Sequence, residues 1–405
     1  MDKIIEPLEL PCGQVIPNRL CKAAMTERLS NSDYRVNDKH IKLYQRWAQS
    51  KFGLHISGNI IVDHKHLESA GNLIATSSEH VKGLKTLVNV VHDYGSVFWA
   101  QLSHAGRQTS YLVNTRPLSA SNVWLKRGGF YLPPKAMTHT QIDNVIDQFV
   151  RAAEICIEAG FDGVQIHAAH GYLLSQFLSP YTNHRTDQYG GSLENRSRLL
   201  IEIVDKVRIA IGDSNAISVK LNSTDFQKGG FEEEDSIAVI RSLEGKIDLL
   251  EISGGTYEKQ AMMGEHKSDS TQKREAYFIE FAQKIMENRK TPLMVTGGFR
   301  RRSIIDQALK DGVMDIAGLA RPFCTHPDLM KSFLTGELDE LEDPFIPAKK
   351  SFLKFSSQGG YYAKQIINIA NGENPDLNMN GDQGGQFVMT HEMKKAINIR
   401  LFGKP

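Results

Sequence analysis

The run His167-Ala168-Ala169-His170-Gly171-Tyr172 sets two imidazoles and a phenol side by side, directly after the apolar stretch that begins at Phe161. Imidazole N–H and phenol O–H groups donate hydrogen bonds without carrying charge, and a phenol can also hand on a proton. Such a set can grip a developing oxyanion, with Tyr172 as the proton donor. Histidines three apart can instead share a helical face and bind zinc, but HExxH is absent and no third ligand stands nearby. A structural pair, each ring satisfying a backbone carbonyl, is the other alternative. The expectation is a pair of substrate-oxygen donors and no metal.

A strand must deliver this cluster. Val164 and Ile166 alternate with Gln165 and His167, giving one apolar and one polar face. Short β-rich runs of this kind start near residues 20, 54, 97, 161, 216, 247, 292 and 314, with helical patterns between them. These eight runs predict an α/β chain folded as a (β/α)8 TIM barrel. A helix is expected over 141–159, with Ile142, Val145, Ile146, Phe149, Ala153 and Cys156 on its buried face and Gly160 as its stop. Ser192 is placed to cap another, striped by Leu200, Ile203, Val207 and Ile211. Long loops at about 105–140, 168–191 and 254–274 follow strand ends, where barrels build their sites. Residues 1–337 are expected to form the barrel. Residues 338–405 would be a C-terminal extension packing on the barrel or on a neighbouring subunit. Its polar Gly/Asn segment, 371–386, is not expected to fold alone.

Two late turns, Thr296-Gly297-Gly298 and Gly318-Leu319-Ala320-Arg321, follow the last two runs, the recurrent place for a phosphate in barrels. Glycine lets backbone N–H groups approach an anion, and Arg321 adds a forked cation. The bland reading is a pair of tight turns. Thr26, Gln101 and Lys220 each lie near the carboxyl end of a run, sharing a face with Ala24, Trp99 and Ser218. Singly, each reads as a satisfied barrel polar group; together they would ring one planar heterocycle. A cationic Lys220 at the pyrimidine edge of a flavin would stabilise the anion formed when the ring accepts a hydride.

Bulk properties narrow the partners. Lys plus Arg number 48 against 47 Asp plus Glu, so nothing argues for nucleic acid or an anionic membrane. The cysteines, at 12, 21, 156 and 324, form no C-x-x-C pair, against an iron–sulfur or zinc ribbon site and in keeping with a reducing compartment. The first ten residues lack a signal-peptide core, and no stretch reaches the ~20 apolar residues of a membrane helix. A soluble cytoplasmic protein acting on small molecules, compatible with a homo-oligomer, is expected.

HAAHGYLLSQFLSP followed by NHRTDQYGGSLENR resembles the signature of the Old Yellow Enzyme family of FMN-dependent oxidoreductases. The likeness extends through PNRLCKAAMTE, QLSHAGRQ, VKLNSTDFQKGGF, EISGGTYE, VTGGFR and GLARPF, across roughly residues 5–375. The resemblance implies bound FMN and NADH or NADPH as hydride donor. In it, Thr26 bonds flavin O4 with Ala24 and Met25 as backbone neighbours, Gln101 contacts the pyrimidine, and Lys220 stands near N1 and O2. Asn59 falls where relatives have a small residue beside the flavin. Gly297, Gly298, Arg300, Ala320 and Arg321 would cradle the phosphate. His167 and His170 would bind the carbonyl or nitro oxygen of an electron-poor alkene, flavin N5 would supply the hydride, and Tyr172 the proton. Lys220 keeps the charge of the arginine common in relatives without its fork, and Arg28 stands where some relatives place a tyrosine over the pocket. The alternatives are a general NAD(P)H:flavin, quinone or nitro reductase, and a non-catalytic flavin-binding barrel.

Overall fold

The computed structural model describes residues 2–256, 279–286, 289–342, 344, 346–350 and 353–404. Part of the loop expected over 254–274, from Tyr257 onward, lies outside the described residues. Eight parallel strands close on themselves: β1 (Leu20–Lys22), β2 (Leu54–Ile61), β3 (Val97–Ser103), β4 (Gly163–Ala168), β5 (Ala216–Asn222), β6 (Leu249–Ser253), β7 (Leu293–Thr296) and β8 (Ile316–Leu319). Each pairs with the next, and β8 pairs back onto β1, completing the (β/α)8 barrel. Every residue of β4 and β5 is buried. The alternation along them therefore separates a helix-facing side from a barrel-lumen side, not an inside from solvent.

The helices form where their caps and stripes direct. Helix α1 (Asp38–Ala48) starts at an Asn37 capping box, and α2 spans Val81–His92. Helix α3 (His139–Glu158) opens with Thr138 and Gln141 capping each other, two residues before the expected start. The short α4 (Leu173–Leu178) follows Tyr172, and α5 (Leu193–Ile211) begins where the Ser192 side chain accepts from the Asn195 N–H. Helices α6 (Glu233–Leu243) and α7 (Arg302–Lys310) continue the ring. Between strands and helices lies the main apolar core; inside the barrel a second cluster joins Cys21, Leu54, Ile56, Trp99, Met294 and Ile316. Leu10 and Ile16, from an N-terminal antiparallel hairpin, belong to this inner cluster and close the end of the barrel away from the site.

One expectation needs correction. The first run does not continue as a strand to Thr26 but stops at Lys22. The buried Lys22 ammonium donates to the Ala23 and Ile56 carbonyls at 3.0 and 2.7 Å, and beyond it the chain leaves the sheet, so Thr26 arrives on a loop. The polar Gly/Asn segment, not expected to fold alone, is partly helical where it packs: α9 (Gly381–Phe402) begins inside it, capped by Asn380. It packs on α8 (Lys354–Ala370), and a Cβ on Gly360 would stand 1.9 Å from the Gly384 carbonyl oxygen. The glycines permit backbone contact that supplies the burial this polar segment lacks alone.

Candidate active site

The carboxyl ends of the strands open into a cavity of about 320 Å³. Ala24, Met25, Thr26, Asn59, Gln101, His167, His170, Tyr172, Lys220, Gly297, Gly298, Arg300, Ala320 and Arg321 all line it, and so does Arg28. Residues spread over about three hundred positions of sequence thus meet in one space because each lies in the carboxyl-terminal half of a barrel strand or in the loop after it.

The donor cluster is tightly ordered. His167 and His170 lie edge to face with centroids 5.0 Å apart, and His167 and Tyr172 likewise at 4.8 Å. The His167 Nδ1 accepts the Ala169 backbone N–H at 3.2 Å, so the neutral ring carries its proton on Nε2. His170, held at a φ of 61°, shares Nε2 with Ser253 Oγ at 2.8 Å. With the serine hydroxyl as donor, its ring proton sits on Nδ1. Burial, then the neighbouring charges, hold both imidazoles well below the usual histidine range, with Lys220 acting on each. Both are therefore neutral donors at physiological pH.

Beneath them the lumen is polar. Strand register sets Lys220 beside His167 on one side and Glu251 on the other. The Lys220 ammonium pairs with the Glu251 carboxylate at 2.8 Å, both groups buried. Glu251 also accepts from Gln165 Nε2 at 2.8 Å, and Gln165 accepts from Gln101 Nε2 at 2.5 Å. Sequence reasoning passed over Glu251, although a carboxylate two residues before Ser253 in β6 shares its lumen-facing parity. It also passed over Glu68, which takes the Thr26 hydroxyl at 2.6 Å and the Asn59 amide at 2.5 Å. Nothing in the sequence flags Glu68: its loop meets Thr26 only in three dimensions. The same holds for Gln358, Gly359, Tyr362, Ala363 and Ile366 of α8, which form one wall of the cavity.

The phosphate-suited end is built from the turns after β7 and β8. Thr296 Oγ1 is buried without a hydrogen-bond partner among the described residues, and a Cβ on Gly318 would stand 2.0 Å from it. The Asn59 amide oxygen is likewise buried without a partner. Arg300 is almost fully buried, and Arg321 lies 6.0 Å from the Tyr362 ring centroid. Unsatisfied polar atoms, glycine-bearing turns and two guanidiniums lining one space fit a phosphate-tailed planar heterocycle such as FMN. Among the described residues one histidine–carboxylate cluster, Asp63, His66 and His104, has ligand-type atoms within 4.8 Å of one another. There His66 donates Nδ1–H to Asp63 at 2.7 Å and accepts the Leu118 N–H on Nε2 at 3.0 Å, so both its nitrogens are committed to holding the loop.

A barrel with neutral donors at its mouth and a cationic, glycine-lined pocket after its last two strands is a flavin oxidoreductase scaffold. The chain belongs to the NADH:flavin oxidoreductase / NADH oxidase family, whose pattern it matches over residues 3–339. It is 36% identical over 351 residues to the NADH-dependent flavin oxidoreductase nadA of Aspergillus parasiticus, covering 82% of this chain and 79% of that protein. Among solved structures, 2-naphthoyl-CoA reductase superposes with a TM-score of 0.77 at 27% identity, covering 83% of this chain. This chain spans only 52% of that reductase. The old yellow enzyme homologue from Zymomonas mobilis gives a TM-score of 0.71 at 25% identity, covering 87% of this chain and 99% of that one. The protein is an FMN-dependent NAD(P)H oxidoreductase of the Old Yellow Enzyme kind.

The neutral imidazoles carry a consequence for stability. His40, His55, His104 and His167 are all buried, and burial lowers each, His40 to about 3. Their pKa values lie below those of the unfolded chain, so protons bind preferentially to the unfolded state. The contribution is complete above about pH 6.5 and is lost as pH falls toward the folded values, at about 1.4 kcal/mol per pH unit for each ring. Urea unfolding of the protein is expected to change little between pH 7.5 and 6.5 and to show falling stability at pH 5.5 and 5.0. A flat profile would mean that these rings are protonated in the fold.

Proposed function

We propose that the enzyme reduces the activated C=C bond of α,β-unsaturated carbonyl or nitro compounds, with His167 and His170 holding the activating oxygen and Tyr172 delivering a proton. The observation that supports this most directly is the neutral donor cluster, with the His167 Nε2 proton fixed by the Ala169 N–H and the Tyr172 ring against it. FMN, when bound, relays the hydride taken from NAD(P)H. The two imidazole N–H groups withdraw electron density from the acceptor through its oxygen, which leaves the β-carbon electron-poor. As negative charge gathers on that oxygen, both hydrogen bonds strengthen, favouring the transition state over the bound ground state. The Tyr172 hydroxyl, nearly buried, then protonates the α-carbon. Lys220 and Gln101, at the lumen side, would hold the pyrimidine edge of the cofactor with Thr26 and Asn59 beside it, and Arg300 and Arg321 would hold its phosphate. The Thr26 hydroxyl bonds Glu68 in this structure, so to donate to the cofactor it would have to rotate away from that carboxylate.

Anaerobic stopped-flow measurement separates this reading from a general quinone or nitro reductase. Reduced enzyme mixed with cyclohexenone is expected to reoxidise rapidly and yield the saturated ketone. Reoxidation by quinones alone, with enones inert, would replace the ene-reductase reading.

A further inference from the structure

Behind Arg28 lies a second chamber of about 170 Å³, which shares Arg28, Glu68 and Gly359 with the main cavity as common walls. Its remaining surface is largely apolar and aromatic, supplied by Phe130 and Leu112 from the long loop after β3 and by Phe355 and Met389 from α8 and α9. We propose that this chamber receives the part of the acceptor distal to its activating oxygen, and that the enzyme favours acceptors bearing an aryl-sized apolar substituent. The inference rests on the oxygen-binding role of His167 and His170 proposed above.

Size, lining and position support it. An apolar cavity of about 150 Å³ is enough to take up benzene, so this chamber accommodates one aromatic ring. Its divider is built, not incidental. Arg28 sits at a φ of 62°, and its guanidinium bonds Glu392 at 2.7 Å and lies 3.7 Å from Glu68. Glu392 in turn takes the Ser69 hydroxyl at 2.6 Å and the Ala70 N–H at 2.9 Å. The C-terminal helix thereby fixes Arg28, which with Glu68 stands between the two spaces. The sequence extension is thus part of the substrate-selecting wall.

The test uses dead-end ligands on the FMN-loaded enzyme, so it needs no turnover. Phenol and its three phenyl-substituted isomers are titrated while flavin absorbance is followed. At least one phenylphenol is expected to bind tenfold or more tightly than phenol. In Met389→Trp, which fills the chamber, that advantage is expected to fall to within twofold while the Kd for phenol itself hardly moves. Val388→Phe, on the same helix, provides a second filling variant should the first fold poorly. If phenol binds but no isomer gains, or if both variants weaken phenol and phenylphenol equally, the chamber has no such role. If phenol itself fails to perturb the flavin, the histidine oxygen site fails, and this inference with it.

Discussion

Tyr172→Phe is expected to slow enone-dependent reoxidation of the reduced enzyme by about 10²–10⁴-fold, the usual worth of a positioned general acid. Reduction of the bound cofactor by NADH should proceed at the original rate. The contrast arises because only the second half-reaction puts a proton on carbon. Tyr172 is 5% exposed and its ring packs at 4.8 Å from His167, so phenylalanine preserves the packing and removes only the hydroxyl. Quinone-dependent reoxidation, which protonates oxygen that water can reach, serves as the control and should change little. Stopped-flow traces of both half-reactions decide the matter: equal losses would make Tyr172 a structural residue, and no loss would assign the proton to another group.

Lys220→Met is expected to destabilise the FMN-free protein by about 3–5 kcal/mol, because it strands the Glu251 carboxylate in the barrel lumen. Glu251 is fully buried, and its remaining partner is the neutral Gln165 amide. The variant Lys220→Met/Glu251→Gln should recover most of this loss, since an amide in that place still accepts from Gln165 and leaves no charge behind. Urea unfolding of the four proteins in the double-mutant cycle gives the coupling directly. Strict additivity would mean that the 2.8 Å pair contributes no coupling to the fold. If Lys220 holds the pyrimidine edge of FMN as proposed, a lysine balanced by glutamate would present less net charge to the cofactor than an isolated cation, so Glu251→Gln should raise the flavin reduction potential, measurable by equilibrium redox titration.

The barrel was legible in the chain because strand positions such as Val164 and Ile166 must be apolar to meet the helix layer. Ser192 marks a helix start because orphan N–H groups need local acceptors, whereas the Thr138 cap showed only in the structure. His167, His170 and Tyr172 stood out for a related reason: polar residues at the end of an apolar run have nowhere to go but the mouth. The same logic overreached at Thr26, where parity implies a strand but the strand stops at Lys22, whose ammonium donates to the Ile56 carbonyl.

By itself, then, the order of residues determined the strands, the caps, the donor cluster and the glycine-bearing turns, all of which depend on neighbours within a few positions. Only the tertiary structure decided that Lys220 is balanced by Glu251, that Glu68 holds Thr26 and Asn59, and that α8 and α9 wall the cavity through Arg28 and Glu392. These are contacts between segments far apart along the chain. A charge's partner in a folded protein is set by which surfaces close over it, and closing a barrel brings together residues whose spacing in sequence carries no trace of their meeting.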